Sequence, residues 1–92
     1  MKKEIFVFKP CKTKAAFQAN LKNSVNLDMK KIKEILSNNN YKIELFIEDL
    51  IIAKKEKYVI NVFKDGKIIL RDEKNKEKAK KIIKEVYEKI NI

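Results

Sequence analysis

The sequence predicts an α+β domain: one antiparallel sheet with two helices packed on one of its faces. Three observations carry this. Apolar residues alternate with a period of two over residues 15–22 and 58–63, as half-buried strands require. Over Leu27, Ile32, Ile35 and Leu36, and again from Ala79 to Ile90, they recur instead at helical spacing among Lys and Glu. Asp65-Gly66 supplies the positive φ of a tight antiparallel turn between two strand-like runs.

The elements follow in order. Residues 5–9 are a short β-branched and aromatic run stopped by Pro10, and since proline cannot donate to a ladder this reads as an edge strand. Residues 15–22 set Phe17, Ala19 and Leu21 on one face against Ala16, Gln18 and Asn20 on the other. Asn26 can cap the first free amides of a helix and Asp28 complements its positive end, while the Ser37-Asn38-Asn39-Asn40 cluster stops it. Residues 41–53 are apolar enough for one long strand or two with a bend, and Lys54-Lys55-Glu56 turns the chain. A hairpin follows, 58–63 returning as 67–71. Asn75 is a helix cap, and Ala79, Ile82, Ile83, Val86, Tyr87 and Ile90 form the buried stripe of a closing helix, supported by Glu77 to Lys81 and Glu85 to Lys89 spacings.

The 92 residues are expected to form a single domain, residues 1–92, able to bury one core. With no histidine, imidazole bases and triads are excluded, and Cys11 as the sole cysteine allows neither an intrachain disulfide nor a thiolate zinc cage. No metal or cofactor is expected, and no enzyme activity. Glu48 and Asp49 are adjacent carboxylates, but strand neighbours point to opposite faces, Glu48 to the open one and Asp49 inward, so they cannot share a substrate. The chain carries no apolar run of membrane-spanning length and no signal peptide, which predicts a cytoplasmic protein. Lys and Arg outnumber Asp and Glu by 23 to 13, a net charge of +10. That favours a polyanionic partner, nucleic acid or an acidic protein, though Lys, Glu and Ile enrichment is equally a hyperthermophile-like composition.

Tyr41, Phe46 five residues on, and Phe63 opening Phe63-Lys64-Asp65-Gly66-Lys67 resemble a single repeat of the TATA-box-binding protein family. Leu27-Asp28-Met29 looks like that family's first helix start, and Asn75 with Glu77 like its second. The resemblance covers residues 15–90, leaving 1–14 as an extension. It implies half of a saddle, a curved antiparallel sheet in the order β-α-β-β-β-β-α with an extra N-terminal strand, whose open face meets nucleic acid and whose phenylalanines wedge between base steps. Carried over by position, Phe46 and Phe63 match the wedges, Lys67 the hairpin lysine and Ile69 an apolar groove contact. Alternation adds Gln18, Asn61 and Arg71 to the same face. The family's Tyr-x-Pro proline is Ile43 here and its groove-reading asparagine is Ala16.

The expected function is therefore nonenzymatic binding of nucleic acid, DNA before RNA, with no membrane role. The alternative is a protein-interaction domain burying Leu50, Ile52, Val59, Ile69 and both phenylalanines against a polypeptide. Two copies pairing along their 15–21 edges would rebuild a symmetric saddle; alternatively, residues 5–9 cap that edge and leave a monomer.

Overall fold

The computed structural model describes residues 5–10, 16–23 and 25–90; Cys11 and Ala15 lie outside them. The chain runs β1 (Phe6–Pro10), β2 (Ala16–Leu21), α1 (Met29–Asn38), β3 (Lys42–Ile47), β4 (Leu50–Lys55), β5 (Tyr58–Phe63), β6 (Ile68–Arg71) and α2 (Lys76–Lys89). The strands make one sheet in the order β1-β2-β6-β5-β4-β3, every neighbour antiparallel. This is the α+β curved sheet that the alternation anticipates.

One face is the core. Phe17 and Ala19 of β2, Ile68 and Leu70 of β6, Ile60 and Val62 of β5, and Ile51 and Ala53 of β4 are buried in register with one another. Met29, Ile32 and Leu36 of α1 and Ala79, Ile82, Ile83, Val86 and Tyr87 of α2 join them in one cluster. Each large apolar side chain buried there contributes about 1.5–3 kcal/mol. Three hydroxyls enter this core with partners: Tyr41 and Tyr58 meet at 3.1 Å, and Tyr87 donates to the Gly66 carbonyl at 2.6 Å. Burial pushes all three phenols up, so they stay protonated well above the usual tyrosine range.

The helix ends follow local chemistry. Asn75 accepts from the Lys78 amide at 3.0 Å, as its sequence position suggests. At α1 the cap is Asp28, which accepts from the Lys31 amide at 3.3 Å, and not Asn26: the helix begins at Met29, and only the residue just before it can reach the free amides.

Three expectations are resolved by the pairing. The 41–53 run takes the second of its two expected forms, two strands, and the correction falls on Glu48-Asp49, which are the turn between them, so neither carboxylate occupies a strand face. Pro10 is the last residue of β1, one beyond the expected end at Lys9, and it is tolerated there because β1 is an edge with no further neighbour among the described residues. The third concerns the edge of β2. β1 pairs along it from Phe6 opposite Leu21 to Pro10 opposite Phe17. Phe6 packs on Tyr87 with ring centroids 5.1 Å apart, and Phe8 stacks on Phe17 at 5.3 Å. The hydrogen-bonding groups that a two-fold pairing of β2 strands would use are already taken, so a homodimer through that edge requires β1 to leave.

Candidate nucleic-acid interface

The other face of the sheet carries no helix. Register defines it as three rows running across the strands. The middle row is Lys9, Gln18, Ile69, Asn61, Ile52 and Leu45, each directly opposite the next. Two residues further along the strands, toward the β4–β5 turn, lies a row of Ala16, Arg71, Val59, Lys54 and Lys42. On the opposite side Phe63, Leu50 and Ile47 form a third. Strand geometry separates neighbouring rows by about 6.7 Å.

Gln18, Asn61, Ile69 and Arg71 thus share this face, as alternation requires. Phe63 shares it too, half-buried beside Leu50. The hairpin that presents Phe63 is fixed from behind. The Gly66 amide donates to the Phe63 carbonyl, and the Phe63 amide to the Lys67 carbonyl, both at 2.9 Å. Gly66 has φ +95°, and a Cβ there would overlap Leu21 Cδ1 and crowd Val25 Cγ2. The Lys67 ammonium lies 4.3 Å from the centroid of the Phe63 ring, covering one face of it.

Phe46 is elsewhere. The register of β3 shifts between Ile43 and Leu45, a bulge that absorbs Glu44 as an extra residue. Ile43 opposes Ala53 on the core side; after the bulge it is Phe46 that opposes Ile51, which is 0% exposed in the core-facing row. Phe46 accordingly lies at the helix-side rim, 37% exposed, with the Lys33 ammonium of α1 5.0 Å from its ring centroid. The two phenylalanines expected to act together sit on opposite faces. Leu45 and Ile47 take the open-face positions instead, 39% and 50% exposed. The sequence reading missed them because it assumed unbroken alternation; failure of a 13-residue apolar run (41–53) to keep one period was the available signal.

Charge on this face has one sign. In its paired strand positions the charged residues are Lys9, Lys42, Lys54 and Arg71, and none is acidic. Lys42 and Lys54 stand directly opposite each other, a like-charge pair that costs stability in the free protein. Acidic residues near the face lie in the bulge and turns: Glu44, Glu48, Asp49, Glu56, Asp65 and Asp72. At the centre, Asn61 Oδ1 is buried with no hydrogen-bond partner. No group of three or more His, Cys, Asp or Glu residues that could hold a metal occurs among the described residues. Among those residues, no helix is long and apolar enough to cross a membrane.

Such a sheet, covered by two helices on one side and bare, apolar and cation-bordered on the other, is that of an α+β domain with one uncovered sheet face. The family model described as Transcription factor TFIID (or TATA-binding protein, TBP) matches residues 14–91, and the chain belongs to that family. No curated protein and no solved structure matches significantly.

Proposed function

We propose that this chain is a nonenzymatic nucleic-acid-binding module, DNA before RNA, that works through the open face of its sheet. The observation that carries the reading is the sign of the charge there: Lys9, Lys42, Lys54 and Arg71 border an apolar centre without an acid in any paired strand position. Membership of a family described as TATA-binding supports DNA as the nucleic acid. Phe63, Leu50, Ile52 and Ile69 offer apolar contact, Gln18 and Asn61 the hydrogen bonds, and Arg71, Lys54 and Lys42 the phosphate contacts, while Lys67, expected beside phosphate, covers the Phe63 ring. Phe46 contributes only to a ligand that wraps the rim on the α1 side.

The test is binding of labelled duplex DNA and single-stranded RNA at two salt concentrations, with the mass in solution measured on the same sample. Micromolar binding that weakens with salt supports the proposal. Indifference to both nucleic acids defeats it. The exposure of Leu45 and Ile47 would then favour the second reading, a protein partner laid over the same apolar centre.

A further inference from the structure

We infer that the open face is built for a single strand of nucleic acid, laid across the β-strands with its phosphates over the Arg71-Lys54-Lys42 row and its bases over the Ile69-Asn61-Ile52 row toward Phe63. The inference rests on the nucleic-acid reading above and specifies its ligand.

The first argument is that the charge is one-sided. A duplex groove is bounded by two backbones, so a face that reads it needs cations on both sides of its apolar strip. Here one flanking row holds three cations, Arg71, Lys54 and Lys42, while the other, Lys67 opposite Phe63, then Leu50 and Ile47, holds one. Acids lie past both rows, Glu48, Asp49 and Asp65 beyond the second and Glu56 and Asp72 beyond the first, so the asymmetry is that of the rows themselves, and the one cation of the second row, Lys67, is held over the Phe63 ring. A single strand has one backbone, and its chemistry runs from phosphate to base in the same direction as the face runs from cation to amide and aliphatic to aromatic. The row spacing of about 6.7 Å leaves room for the sugar between them. An anion seated between Lys42 and Lys54 also relieves their repulsion.

The second argument is independent and comes from Asn61. Its buried Oδ1 accepts nothing from the protein, and covering it with ligand makes that loss permanent unless the ligand brings an N–H donor. The minor groove of a duplex offers one donor, the guanine amino group. Unpaired bases expose donors on their pairing edges, so nearly any of them serves once Asn61 turns its amide outward, a rotation that breaks no hydrogen bond at Oδ1. With six strands spanning roughly 24 Å, the face accommodates a short segment of about 4 nucleotides.

The experiment is fluorescence anisotropy of the full chain with three labelled probes of one sequence: single-stranded DNA, single-stranded RNA and duplex DNA. Single strands should bind at least roughly tenfold more tightly than duplex, the DNA and RNA arms reporting which sugar is preferred. Three phosphate contacts predict a salt slope of about −2, a weakening of roughly 20-fold between about 50 and 200 mM salt. The double variant Lys42→Gln/Lys54→Gln should reduce that weakening to about 3-fold, while Lys81→Gln/Lys84→Gln, the same charge removed from exposed positions of α2, should leave it unchanged. Equal or tighter duplex binding overturns the single-strand inference and leaves nucleic-acid binding standing. An equal loss in the α2 variant overturns the phosphate row, and absence of binding to all three probes overturns both readings.

Discussion

Gly66 is the position where one methyl group should do the most damage. Gly66→Ala meets two separate penalties. Its φ of +95° lies where an L side chain costs about 1–2 kcal/mol. Its Cβ would overlap Leu21 Cδ1 in β2 and crowd Val25 Cγ2, overpacking worth about 1–3 kcal/mol. Together they predict a loss of roughly 3 kcal/mol, which for a chain of 92 residues lowers the melting temperature by roughly 15 °C. The control is Tyr87→Phe, which keeps the glycine and removes only the 2.6 Å hydrogen bond to its carbonyl. That should cost about 1 kcal/mol, or roughly 5 °C. Both are read by thermal unfolding followed by circular dichroism, with urea midpoints as a second measure. If Gly66→Ala melts no lower than Tyr87→Phe, the hairpin is not held in the way described, and the fixed presentation of Phe63 and Lys67 loses its physical basis.

Other outcomes follow from the same geometry. Tyr41→Phe or Tyr58→Phe alone orphans a buried hydroxyl and should cost about 1–3 kcal/mol, whereas the double change should cost less than the sum, as a double-mutant cycle in urea would record. Because burial raises the folded pKa of Tyr41, Tyr58 and Tyr87, the stability they contribute is complete below the ordinary phenol value of about 10 and is lost as pH rises through the folded values; phenolate absorbance should therefore appear together with unfolding and not before it. Asn61→Leu removes an unsatisfied buried acceptor and should stabilise the fold by about 1 kcal/mol while weakening nucleic-acid binding; a variant that binds as tightly as the parent argues against a role for the amide. Phe6→Asp should detach β1, bare the β2 edge and raise the mass seen by light scattering, and a persistent monomer would show that edge protection does not depend on β1.

Most of the fold was legible because it rests on local rules. Phe17 and Ala19, or Ile60 and Val62, mark strands by parity, Asn75 announces its helix by its own side chain, and Asp65-Gly66 can turn only one way. Less was visible where one element answers to another. Which edge β1 would take depends on Phe8 meeting Phe17 in the next strand and on Phe6 meeting Tyr87, a contact between opposite ends of the chain. The cap at Asp28 in place of Asn26 depends on where α1 begins, and two acceptable side chains two residues apart leave that open. For the site, parity found Gln18, Asn61 and Arg71 and the family resemblance Ile69, but Lys42 and Lys54 acquire meaning only when β3 and β4 are paired, since cross-strand neighbours 12 residues apart form no motif.

The bulge at Glu44 works as a phase setting. A strand without it would send Phe46 outward with the open-face residues and turn Leu45 and Ile47 toward the helices; one extra residue exchanges those positions without altering a single side chain. β3 is also the last strand of the sheet, so its phase is held by β4 on one edge and by the packing of α1 on its core side. Two chains with the same residues at these positions but a different bulge position would offer different surfaces, one aromatic and one aliphatic. Alignment by sequence would score them as equal, and only the pairing would tell them apart.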